Sequence, residues 1–177
     1  MIRRGLLSSG GVVLLLGLAL VVAARAADDG GTFVPTVRCN EVTLYFKSSA
    51  ELGRDYRLVI GTFSVPPASL GQPVRDSTSA PFSYWAKAGL AIRASTAVET
   101  VSLPNNWRDR ARIVWGAPGT PAAAVRFAPC PSPRGSPIAW NGYSGGFMLR
   151  TRSACVPLIF AVGHRRATIW FGVGRHC

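Results

Sequence analysis

Gly142-Tyr143-Ser144-Gly145-Gly146 has the G-x-S-x-G spacing that can present a serine hydroxyl as a nucleophile on a sharp turn. Attack by that hydroxyl needs a histidine to take its proton and a carboxylate to orient the histidine. His164 and His176 are the only histidines and both follow the serine, while no Asp or Glu occurs after it. A nucleophile elbow also opens a helix, whereas these glycines lead into an apolar, strand-like run. Gly142 to Gly146 is therefore read as a glycine-rich turn, and a serine hydrolase at Ser144 ranks last of three functional alternatives.

Other chemistry is thinner still. Outside the N-terminal tether the acids Glu41, Glu51, Asp55, Asp76, Glu99 and Asp109 are scattered singly, so nothing in their spacing brings two carboxylates together for acid–base work. His164 falls in an expected turn beside Arg165 and Arg166, and His176 is penultimate, so both are expected in solvent. No C-x₂-C or H-x₃-H pair occurs, and neither a metal nor a cofactor is expected. Trp140-Asn141-Gly142-Tyr143 combines two large rings with an amide, a composition suited to stacking on sugar rings. It supports the second alternative, a glycan-binding module using Trp140 and Tyr143.

Arginine gives the first alternative. In Trp107 to Trp115 strict alternation sets Trp107, Ala111, Ile113 and Trp115 against Arg108, Arg110 and Arg112, with Asp109 awkwardly on the aromatic side. Phe147, Leu149 and Thr151 likewise oppose Met148, Arg150 and Arg152, and Arg126 alternates with Val125 and Phe127. Three strands would then carry guanidinium groups outward. Of 20 basic residues only Lys47 and Lys87 are lysine. Guanidinium groups match phosphate and carboxylate bidentately, and a basic protein attracts anionic partners. An anionic envelope polymer or lipid headgroups fit this pattern, and no specific nucleic-acid recognition is expected. The competing reading is that the arginines merely keep strand faces soluble and edges unpaired.

The chain's beginning sets the compartment. Met1-Ile2-Arg3-Arg4 is a basic stub, Val12 to Ala24 is apolar, and Ala24-Arg25-Ala26 supplies small residues for cleavage, the order of a secretory signal peptide over 1–26. The alternative is an uncleaved anchor over 5–24 with the domain outside, the only membrane contact expected. Cleavage after Ala26 removes three arginines and no acid, leaving 17 basic residues against 8 acidic ones. A flexible tether over 27–36 then precedes one domain, 37–177, in a secreted or extracytoplasmic setting.

The body reads as strands at Val37 to Phe46, Tyr56 to Val65, Ser83 to Ala94, Ala97 to Leu103, Trp107 to Trp115, Ala123 to Ala128, Gly146 to Thr151, Val156 to Val162 and Ala167 to Val173. Turn residues bound them, and Pro66 to Pro81 forms the longest irregular stretch. The fold expected is all-β, an antiparallel, immunoglobulin-like β-sandwich. The last two strands are apolar at nearly every position and are expected to be covered on both faces.

Four cysteines allow three disulfide pairings. If the last hairpin turns near residues 164 and 165, Cys155 begins one strand and Cys177 follows its partner, at one end of the sandwich. Cys130 closes a strand finishing at the other end. The preferred set is Cys155–Cys177 with Cys39–Cys130, although the loop from Pro131 to Tyr143 is long enough to invert the choice.

The runs Trp107 to Ala111, Arg126 to Cys130, Gly145 to Phe147 with Leu149-Arg150, Cys155 to Leu158 and Phe171 to Cys177 resemble a group of small exported actinobacterial proteins of unknown function. The resemblance covers residues 83–177. It implies an extracytoplasmic setting and assigns no catalytic residue. Taken together the residues describe a non-catalytic exported domain, with the glycan module and the hydrolase as alternatives.

Overall fold

The computed structural model describes residues 33–177 apart from Thr96, Pro133 and Gly135; the expected leader, its cleavage site and the tether as far as residue 32 lie outside the described residues. The described residues form β1 (Thr36–Val37), β2 (Leu44–Phe46), β3 (Arg57–Val59), β4 (Phe63–Val65), β5 (Ser69–Leu70), β6 (Val74–Arg75), β7 (Tyr84–Lys87), β8 (Leu90–Arg93), β9 (Glu99–Ser102), β10 (Ala111–Trp115), β11 (Ala124–Phe127), β12 (Trp140–Tyr143), β13 (Gly145–Leu149), β14 (Ala154–Val162) and β15 (Arg165–Val173). Short 3₁₀ turns are the only helical pieces among them, so this part of the chain is all-β.

Alternation explains the burial of these strands. In β10 Ala111, Ile113 and Trp115 are buried while Arg112 and Val114 are half-buried, and in β11 Val125 and Phe127 are buried while Arg126 is exposed. One layer is a six-stranded sheet in the order β1-β11-β9-β14-β15-β5, antiparallel except for the β1–β11 and β15–β5 pairs. The other hydrogen-bonded sets are β2-β12-β8-β4-β3 and β10-β13-β7-β6. They are two halves of one bent layer. β7 continues into β8 across Ala88 and Gly89, β12 into β13 across Ser144, and the Ala88 amide donates to the Gly145 carbonyl at 2.8 Å where the paired strands bend. Glycine is required at this bend, because a Cβ on Gly145 would land on the Val114 carbonyl oxygen.

Aromatic rings tie the layers together. Phe63 meets Phe160 at 5.1 Å, Phe127 meets Tyr143 at 5.0 Å, and Phe147 meets Phe171 at 5.5 Å, each pair crossing from the six-stranded sheet to one half of the bent layer. Each fully buried phenylalanine stabilises by about 1.5–3 kcal/mol, with about 0.5–1.5 kcal/mol more for each ring pair.

The six-stranded register accounts for the disulfides. Phe127 pairs with Glu99 and Glu99 with Val162, so the end of β11 lies at the hairpin-turn end of the sheet, opposite Cys155. Cys39 follows β1 and Cys130 follows β11, two parallel neighbours ending together, and these sulfurs are joined across a Cα separation of 5.5 Å. At the opposite end Cys155 is joined to Cys177, with Cα atoms 5.7 Å apart. Two disulfides fit an oxidising, extracytoplasmic setting. Among the described residues no helix is long and apolar enough to cross a membrane.

Several expected elements are corrected. Residues 37–46 and 56–65 are each two short strands, interrupted by the 3₁₀ turn Cys39–Glu41 and by a tight turn in which Ile60 and Gly61 have positive φ. The body starts before Val37, since Pro35 is buried and Thr36 pairs with Arg126. The irregular Pro66–Pro81 stretch contributes β5 and β6 to the sheet edges. The stretch 140–143, taken for a loop, is a central strand between β2 and β8. The last hairpin is fully covered only on its inner face, where Val156, Leu158, Phe160, Phe171 and Val173 meet the core; on the outer face Pro157 and Gly172 are buried but Arg166, Thr168 and Trp170 are exposed.

Candidate anion-binding groove

The expected arginine face of Trp107 to Trp115 does not exist as a strand face. Asn105–Trp107 is a 3₁₀ turn started by Pro104, the Arg108 amide donates to the Asn105 carbonyl, the Arg110 amide to the Trp107 carbonyl, and β10 begins only at Ala111. Period-two reasoning therefore fails for Arg108 and Arg110. It also dissolves the difficulty with Asp109, which is exposed because it never joins the aromatic face. Arg112 does lie on the strand, but half-buried: its guanidinium covers Phe82 at 4.5 Å and donates to the carbonyls of Arg108 and Ala111.

The turn builds something else. Beyond the last β10–β13 pair, Ala111 with Leu149, the Arg150 amide donates to the Arg110 carbonyl at 3.2 Å, so the two arginines leave the sheet side by side. Arg110 stacks on Trp107 at 5.7 Å and Arg150 on Phe82 at 5.2 Å. The chain then crosses from the bent layer into β14, where the Cys155–Cys177 bond pins the C-terminal segment and with it Arg175, whose Nε donates to the His176 carbonyl at 3.4 Å. Trp170, 52% exposed, stands opposite Pro157 on the outer face of β15. Trp107, Arg110, Arg150, Trp170 and Arg175 with the disulfide line an open groove of about 550 Å³. Among the described residues Arg110, Arg150 and Arg175 form no ion pair, so their charge is presented to the groove. Aromatic stacking holds a guanidinium plane while leaving its edge N–H groups available for an oxyanion.

The remaining site expectations separate cleanly. Arg152 is exposed just past the groove and does not line it. Arg126 is exposed on β11, three strands from β15 and so about 14 Å across the sheet. The sugar platform is corrected: Trp140 and Tyr143 are each 3% exposed, Trp140 under Arg93 at 5.3 Å and Tyr143 against Phe127, leaving no ring face for a sugar. Burial drives the Tyr143 phenol well above its ordinary range, with the neighbouring Glu99 charge adding to the shift. Ser144 is exposed at the layer bend and hydrogen-bonds to the Thr43 hydroxyl at 3.2 Å, and neither histidine lines the shallow pocket around it. Sequence reasoning missed Trp107 and Trp170 as groove walls, and Arg175 altogether. The one available signal was the C-terminal cysteine two residues after Arg175. No protein family, no curated protein and no solved structure matches the chain.

Proposed function

We propose that the protein is an exported, non-catalytic β-sandwich that holds anionic envelope material in the groove between Trp107 and Trp170. The convergence of three guanidinium groups with no ion pair among the described residues, Arg110, Arg150 and Arg175, beside an exposed tryptophan carries this reading. Phosphate-bearing wall polymer or acidic lipid headgroups supply the complementary charge. The basic stub and apolar run of the first 26 residues support export, and the two disulfides agree with it. An immunoglobulin-like layering and kinship with small exported actinobacterial proteins belong to the same proposal.

Binding of the oxidised protein to purified cell wall and to phosphatidylglycerol vesicles, titrated with salt, tests it. Each exposed guanidinium contact is worth about 1 kcal/mol, so the triple variant Arg110→Gln/Arg150→Gln/Arg175→Gln is expected to bind on the order of 100-fold more weakly and with a shallower salt dependence. Arg126→Gln, removed from the groove, is expected to bind as the parent does. Equal losses in both variants would show that net charge alone attracts the protein, and absent binding at low salt would leave the arginines as solubilising residues.

A further inference from the structure

At the opposite end of the sandwich lies a second recess, which shares no lining residue with the groove. Glu99 begins β9 on the inward face, two residues before buried Val101, and is itself only 2% exposed. The Ser95 hydroxyl donates to one carboxylate oxygen at 2.5 Å and the Glu99 backbone amide adds a second hydrogen bond, but among the described residues no ion pair accompanies them. A buried carboxyl without an opposite charge is costly, and burial raises its pKa toward the neutral form against these two hydrogen bonds.

The walls around it are polar and ordered by the fold. The tight β3–β4 turn is held by the Arg93 amide donating to the Thr62 carbonyl at 2.8 Å and by the Arg165 guanidinium donating to the Ile60 carbonyl at 2.8 Å. Arg93 is exposed, with its guanidinium over the Trp140 ring at 5.3 Å. Thr62, Arg93, Ser95, Glu99 and Arg165 thus surround a cleft of about 400 Å³, within the range of about 300–1,000 Å³ common for small-ligand sites. Two guanidinium groups at the mouth repel a cation and attract an anion. A floor of two hydroxyls and one carboxyl asks for hydroxyl partners rather than an apolar body.

We infer that this cleft binds a small hydroxylated anion of the sugar-acid or sugar-phosphate class, its charge held by Arg93 and Arg165 and its hydroxyls donating to Glu99. A ligand hydroxyl adds a donor to a carboxyl that has no cationic partner among the described residues. The inference stands apart from the groove and survives its failure.

Amide chemical-shift titration of the oxidised protein with glucuronate, glucose 6-phosphate, glucose and acetate tests it. Saturable shifts around residues 61–62 and 95–99 are expected with glucuronate or glucose 6-phosphate, at affinities about tenfold above those of glucose and acetate. Glu99→Gln, nearly isosteric, and Arg93→Gln, on an exposed side chain, are each expected to weaken binding about tenfold, while the groove triple variant binds unchanged. Preference for glucuronate over the phosphate, or the reverse, identifies the acidic group. Equal responses to acetate and the sugar acids, no saturation by any of the four, or unaltered binding in a folded Glu99→Gln protein would overturn the assignment.

Discussion

Removing one disulfide at a time separates stability from function, because the two bonds differ in loop length and in what they hold. Cys39–Cys130 spans 91 residues and Cys155–Cys177 spans 22. Restricting the unfolded chain stabilises the fold by an amount growing as 1.5RT times the logarithm of loop length, which gives about 4.6 kcal/mol for the longer loop and about 3.4 kcal/mol for the shorter. The difference, about 1.2 kcal/mol, is worth roughly 2 to 5 °C of melting temperature in a domain of this size. The groove predicts the opposite order for binding. Cys155 lines it and Cys177 fixes the segment bearing Arg175, whereas Cys39–Cys130 staples β1 to β11 at the far end. The Cys39→Ala/Cys130→Ala protein is therefore expected to melt lower yet bind anionic vesicles like the parent, measured below both melting points. Cys155→Ala/Cys177→Ala is expected to melt higher than its counterpart and to lose about fivefold in binding, the contribution of one guanidinium contact. Binding losses that rank with the stability losses would refute the groove's dependence on its neighbouring bond.

Two further expectations concern the body. Gly145→Ala forces a Cβ onto the Val114 carbonyl, and since the obstruction is backbone the cost is expected near 3 kcal/mol, read as a lower urea midpoint at unchanged slope; a loss below about 0.5 kcal/mol would show that the layer bend is pliable. Glu99 has a folded pKa above its ordinary 4.5, so the folded state holds its proton more tightly than the unfolded chain. Its contribution is greatest below that ordinary value and is lost as pH rises through the raised one. Glu99→Gln should remove this decline, gaining on the parent as pH increases; parallel urea-stability profiles for the two proteins would contradict the shift.

The sequence carried the class of structure and the chemistry available to it. Period-two alternation in Ala111 to Trp115 and in Ala124 to Phe127 follows from the pleat of a half-buried strand, and it is visible without knowing what the strand packs against. Strand direction brought Cys155 and Cys177 to one end for the same local reason. The basic composition and the scarcity of acids near Ser144 were likewise plain from residue types alone. Alternation says which side a residue faces, but not where a strand starts or which sheet covers it. Pro104-Asn105-Asn106 turns the chain through Trp107 to Arg110, so three arginines that looked like one face became Arg108 half-buried in the turn, Arg110 exposed against Trp107, and Arg112 half-buried over Phe82. Trp140 and Tyr143 looked like a loop because Asn-Gly favours turns, yet β2 and β8 claim that segment from both sides. Only the tertiary structure brought Arg175 and Trp170 beside Arg110 and Arg150, residues up to 65 positions apart in sequence, counted from Arg110 to Arg175. It alone put Glu99 beneath Arg93 and Arg165. Such neighbours are chosen by pairing between distant strands and by the closing of the layers, and the energy of those contacts depends on partners that no local window of residues contains.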